Sequence, residues 1–108
     1  MKTITLFLFL TFQNLDSNQI IIPAEFSPNG DNMEDSFIIK ASNVTNFNCE
    51  IFNRWGELIY KWSDINSGWD GKNKKGKICS NGTYYYLLSC IDKTGNPISK
   101  QGYVRLIK

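Results

Sequence analysis

Histidine is absent from this chain, and with it go the commonest general base and the commonest transition-metal ligand. Ser-His-Asp and Cys-His nucleophilic catalysis are therefore excluded. Cysteine is scarce: Cys49, Cys79 and Cys90 show no C-x-x-C spacing, so neither a zinc site nor a thioredoxin-like motif is supported. Two readings stay open for them, a Cys79–Cys90 disulfide in an exported chain with Cys49 left over, or three buried reduced thiols. An excess of one charge is also lacking. The formal net charge of +2 is too small for counterion-release binding to nucleic acid or to an anionic membrane. The single cationic cluster, Lys72-Asn73-Lys74-Lys75-Gly76-Lys77, has the composition of a solvated turn. No apolar run is long enough to cross a bilayer as a helix, and no segment keeps a helical period. With no nucleophile–base pair, no enzyme and no cofactor are expected. Carboxylates alone could hydrolyse a glycosidic bond, but only across a cleft that a domain this small rarely contains.

What remains is a chain of 108 residues, 42% hydrophobic and 14% aromatic, sized for one domain with its own core. Its centre is Ile51-Phe52-Asn53-Arg54-Trp55-Gly56-Glu57-Leu58-Ile59-Tyr60, which reads as a hairpin: Phe52, Leu58 and Tyr60 suit a half-buried sheet, and Gly56 can take the positive φ a tight turn requires. Residues 1–19 differ from the rest. Lys2 precedes an apolar run from Ile4 to Phe12 of signal-peptide length, followed by no A-x-A-like cleavage site. That segment is expected to be an export signal, or a strand remaining from an upstream segment. The folded domain is expected over 20–108.

Ile20-Ile21-Ile22-Pro23 is expected to open the fold as a short edge strand. The stretch Phe26-Ser27-Pro28-Asn29-Gly30-Asp31-Asn32-Met33-Glu34-Asp35 is dense in turn formers. Asn29, Asp31, Glu34 and Asp35 offer hard oxygens that a calcium ion would accept, but their spacing does not match the twelve-residue calcium loop, so a structural turn is the stronger reading. Ser36 to Lys40 is expected as a strand, with a polar connection through Asn43, Thr45 and Asn46 before the hairpin begins near Phe47. Trp69 is expected to plug one end of the core, with Asp70-Gly71 turning after it. Asn81-Gly82 then leads into the longest strand candidate, Thr83 to Ile91. Tyr84, Tyr86, Leu88 and Cys90 share one of its faces, and both faces are expected to be covered. Ile98 to Ile107 completes a terminal hairpin with it. About seven short strands and no helix predict an all-β fold, an immunoglobulin-like antiparallel β-sandwich.

Five stretches, taken in order, resemble one family: Phe26-Ser27-Pro28-Asn29-Gly30-Asp31, Ile51-Phe52-Asn53-Arg54-Trp55-Gly56, Trp69-Asp70-Gly71, Gly82-Thr83-Tyr84-Tyr85-Tyr86 and Gly102 to Lys108. They are similar to the gliding motility-associated C-terminal domain, the type B sorting domain of the type IX secretion system. The family's loop commonly carries Gly and Asn where this chain has Asn32 and Glu34. The resemblance implies a seven-stranded immunoglobulin-like sandwich without chemistry of its own. It implies passage through the periplasm, recognition by the type IX outer-membrane machinery, and delivery to the cell surface or medium. No nucleic acid or small-molecule substrate is expected, and the module is expected to be monomeric. Arg54 and Trp55 at the hairpin tip, with Arg105 and Lys108 at the basic end of the last strand, are the candidate partner contacts. Pro28, Asn29, Gly30, Asp31, Asn53, Gly56, Trp69, Asp70, Gly71, Gly82, Thr83, Tyr84 and Tyr86 are read as residues that shape the fold. The alternative is an adhesive module stacking glycan or surface protein on Trp55, Trp62 and Trp69.

Overall fold

The computed structural model describes residues 20–28 and 35–108. The expected export signal, and Asn29, Gly30, Asp31 and Glu34 of the expected turn or calcium loop, lie outside the described residues. Seven strands and no helix form the described fold: β1 (Ile20–Ile21), β2 (Glu25–Phe26), β3 (Lys40–Ala41), β4 (Val44–Phe52), β5 (Leu58–Trp62), β6 (Gly82–Asp92) and β7 (Pro97–Leu106). They make two sheets, a five-stranded one in the order β2-β7-β6-β4-β5 and a two-stranded one pairing β1 with β3. The fold is an all-β sandwich.

Pro23 explains how the first strand serves both sheets. β1 pairs antiparallel with β3, and two residues beyond Pro23 the same chain runs parallel to β7, with Glu25 opposite Arg105 and Phe26 opposite Leu106. Proline has no amide to continue a ladder, so the chain leaves one sheet there and joins the other. The pairing is thus not wholly antiparallel, as the sequence had led us to expect; β2–β7 is the parallel exception.

The core lies between the sheets and is largely aromatic. Phe26, Cys49, Ile51, Leu88, Val104 and Leu106 come from the inner face of the large sheet, and Phe37, Ile39 and Trp69, from segments outside it, are buried with them. Trp69 is fully buried, its ring 5.2 Å from Phe26 and 5.1 Å from Tyr84. Its indole donates to the Lys72 carbonyl at 2.8 Å, and its backbone exchanges two hydrogen bonds with Phe37 at 2.7 and 3.0 Å. This one residue therefore fastens the long connection between β5 and β6 to the core. Tyr84, near the start of β6, donates its hydroxyl to the Ser80 carbonyl at 2.7 Å. That is the tyrosine corner of immunoglobulin-like sandwiches, which locks the chain's entry into the strand.

Several local expectations are corrected. Only Lys40 of the expected 36–40 strand is in a strand, while Phe37 makes an isolated bridge to Trp69. The supposed connection through Thr45 and Asn46 belongs to β4, which starts at Val44 and carries a bulge between Thr45 and Asn48, and Asn46 takes a φ of 54°. The three cysteines are free thiols. Cys90 lies near the far end of β6 and Cys79 precedes its start, and at about 3.3 Å per residue the strand holds them more than ~20 Å apart. Nor is β6 covered on both faces: Tyr85 and Leu87 are exposed, because the second sheet packs on one side only.

Candidate partner-recognition end

Strand register gathers the candidate residues at one end of the large sheet. Phe52, the last residue of β4, faces Tyr85, and Gly82, the first of β6, faces Leu106 near the close of β7. The 53–57 turn, the 79–82 segment and the end of the chain therefore meet. An open cleft of about 350 Å³ lies between turn and segment, lined among others by Arg54, Trp55, Cys79, Asn81 and Thr83. Lys108 is latched across the segment: its amide donates to Asn81 Oδ1 at 3.1 Å and its ammonium to the Cys79 carbonyl at 2.7 Å. Arg105 faces Thr83 and pairs with Glu25 at 3.5 Å, both side chains being more than half exposed. Such a surface pair contributes about 0–1 kcal/mol.

The 53–57 turn is built by Asn53 and Gly56. Asn53 Oδ1 accepts from the amides of Trp55 (2.9 Å) and Glu57 (3.0 Å), and its Nδ2 donates to Glu57 Oε1 at 2.7 Å. The Gly56 amide donates to the Asn53 carbonyl, with φ +80° at Gly56. This is a three-residue hairpin loop, a tight turn followed by a left-handed glycine. The same frame recurs twice. Asn73 Oδ1 accepts from Lys75 and Lys77, with Gly76 at φ +83°; Asp92 Oδ1 accepts from Thr94 and Asn96, with Gly95 at φ +90°. The Thr94 hydroxyl and these amides hold the Asp92 carboxyl below the ordinary range. Asx-x-x-Gly-x is thus a repeated pattern in the sequence, a local signal by which these turns can be found.

The two tip positions are filled differently in the three loops, by Arg54-Trp55, Lys74-Lys75 and Lys93-Thr94. Arg54 and Trp55 are consequently spare with respect to turn formation. Trp55 is 74% exposed, and the Arg54 guanidinium sits 5.0 Å from its ring centroid. At so exposed a site this cation–π contact contributes about 0.5–1 kcal/mol and joins the two side chains at the tip.

The remaining residues fall elsewhere. Asp70 Oδ1 accepts from the Lys72 amide at 3.1 Å. Gly71 has φ +88°, and a Cβ there would lie 3.2 Å from Pro28 Cγ and 3.4 Å from Leu106. The Tyr86 ring covers Gly102, where a Cβ would stand 2.7 Å from its hydroxyl. Of the calcium candidates only Asp35 is among the described residues, which form no group of three or more metal-ligating side chains. The tryptophan platform is overturned. Trp62 is 7% and Trp69 0% exposed, so two of its three rings are core.

The CHU_C type IX secretion signal domain matches residues 20–106. The chain belongs to that family. As a type IX sorting signal it directs a protein to the cell surface or medium through recognition by the secretion machinery. Curated proteins give no match. Among solved structures the sorting-signal domain is similar to PorZ, an essential bacterial surface component of the type-IX secretion system of Porphyromonas gingivalis, with 16% identity and a TM-score of 0.50 over 84% of this chain and 11% of that one. That likeness concerns the fold, and the chain spans about a tenth of PorZ's length.

Proposed function

We propose that the domain sorts without catalysis, as a monomeric module, by presenting Arg54 and Trp55 to an outer-membrane component of the type IX machinery after transit through the periplasm, with Lys108 and Arg105 flanking the contact. The carrying observation is that the turn's frame is made by Asn53, Gly56 and Glu57, none of them at its tip, while the tip holds an exposed guanidinium–indole pair in contact. Arg and Trp are the residue types that most often dominate protein–protein contacts, arginine through its planar fork and tryptophan as an anchor.

The test is a transport assay. Residues 20–108 are placed after a signal peptide and a fluorescent reporter in a type IX-competent host, and the reporter is located. Reporter at the surface or in the medium, lost on deletion of the secretion system, is the expected result. Replacing Arg54-Trp55 by Lys-Thr, the tip of the Asp92 turn, should keep the fold and trap the reporter in the periplasm. Unchanged export by that variant would remove the tip from the recognition surface.

A further inference from the structure

The outer face of the five-stranded sheet carries an aromatic row that partner recognition at the sheet's end does not use. Register sets Leu58 beside Phe52, Phe52 beside Tyr85 and Tyr85 beside Tyr103, so four strands each contribute one apolar side chain at the same level. Tyr85 and Tyr103 are 39% and 63% exposed, with ring centroids 4.9 Å apart and planes tilted by 51°. At the next level Leu87 lies beside Gln101. Phe52, Tyr85, Leu87, Gln101 and Tyr103 line an open groove of about 420 Å³, and Tyr86 and Gly102 complete its lining. Every one of these residues is uncharged.

The backbone adds further polar groups. The Arg105 amide donates to the Ala24 carbonyl, away from β6, and by alternation the amides and carbonyls of Gln101 and Tyr103 point to the same open edge. Among the described residues no strand pairs with β7 on that side between Pro97 and Val104. The edge is open there because the chain joins this sheet only after Pro23 and pairs with β7 only at Arg105 and Leu106.

We infer that this groove binds an uncharged oligosaccharide. A pyranose ring has an apolar face of C–H groups and a rim of hydroxyls. The groove offers ring faces at Tyr103 and Tyr85, and at its border the Gln101 amide, the tyrosine hydroxyls and the free edge of β7. A charged glycan, a phosphate or a peptide terminus would find no countercharge in the lining itself: the nearest charges on this face are Glu50 beside Leu87, and Arg105 two positions beyond Tyr103, which is paired with Glu25. Size argues against a protein: the apolar side chains that the groove exposes, Tyr85, Leu87 and Tyr103, amount to far less than the ~800 Å² per partner of a stable interface. The groove volume lies within the ~300–1,000 Å³ of small-ligand sites. Its lining shares no residue with the cleft beside Arg54 and Trp55, so the inference is independent of the sorting surface.

The experiment titrates the full ¹⁵N-labelled chain with cellohexaose, mannohexaose and xylohexaose, with a trigalacturonate as the charged control, and follows amide shifts. The expected result is saturable shifts at Tyr85, Gln101 and Tyr103 with at least one neutral hexasaccharide. Tyr103→Ala should weaken binding about tenfold or more, Tyr103→Phe should retain most of it, and Arg54→Ala should leave it unchanged. Tyr103 is largely exposed, so the alanine variant should keep the native spectrum elsewhere. Absence of saturable shifts with all three hexasaccharides would overturn the inference. So would binding indifferent to Tyr103→Ala and Tyr85→Ala, preference for the galacturonate, or Tyr103-dependent self-association in sedimentation.

Discussion

Changing Trp69 to Phe tests whether one side chain fastens the β5–β6 connection. The smaller ring removes roughly 40 Å³ from a fully enclosed site, which at ~24 cal/mol per Å³ costs about 1 kcal/mol. The indole hydrogen bond to the Lys72 carbonyl is lost, which adds about 1 kcal/mol. Lost apolar burial brings the total to about 2–3 kcal/mol, a large share of the ~5–10 kcal/mol expected for such a domain. Guanidinium melts followed by far-ultraviolet dichroism should show a lower midpoint at constant slope, and thermal melts a fall of roughly 10–15 °C. The same substitution at Trp55, which is 74% exposed, should change stability by less than about 0.5 kcal/mol. A Trp69→Phe cost under about 0.5 kcal/mol, or equal costs at the two sites, would refute the reasoning.

Gly71→Ala meets both a positive φ and close contact with Pro28 and Leu106, and should cost about 2–3 kcal/mol by chemical denaturation. Gly56→Ala has φ +80° but nothing within 4 Å of the new methyl, so only about 1 kcal/mol of backbone strain is expected. Tyr84→Phe should cost about 1 kcal/mol through the lost bond to the Ser80 carbonyl, again read from denaturant midpoints. Burial pushes the Cys49 thiol from the usual 9.0 up to about 12, so above pH 9 the unfolded chain gives up this proton while the native chain keeps it. Cys49 thus favours the fold fully below that pH, and its contribution falls as pH rises from 9.0 towards 12, by up to about 1.4 kcal/mol per pH unit. Urea midpoints at about pH 8 and about pH 10.5 should diverge less in Cys49→Val than in the native chain.

The strands that carry strong periodicity were legible. β6 shows its buried face as Tyr84, Tyr86, Leu88 and Cys90, and the 51–60 hairpin shows its turn as Asn53 and Gly56 between apolar runs. What escaped the sequence was set by partners distant along the chain. Phe37 and Ile39 alternate like strand residues, yet among the described residues the pairing at Phe37 stops at one bridge, to Trp69. The parallel seat of Glu25 and Phe26 follows from where Pro23 sends the chain, which no local pattern states. Asn46 looked like a loop residue because asparagine favours turns, but its positive φ serves a bulge inside β4. The candidate surface was partly legible for a physical reason of its own. A turn's frame writes a pattern of Asx and Gly into the sequence at fixed spacing, so the residues that remain at its tip, Arg54 and Trp55 here, are marked by not being needed for it. The aromatic groove leaves no such mark. Tyr85 and Tyr103 lie 18 positions apart in the chain and become neighbours only through the register of β6 on β7.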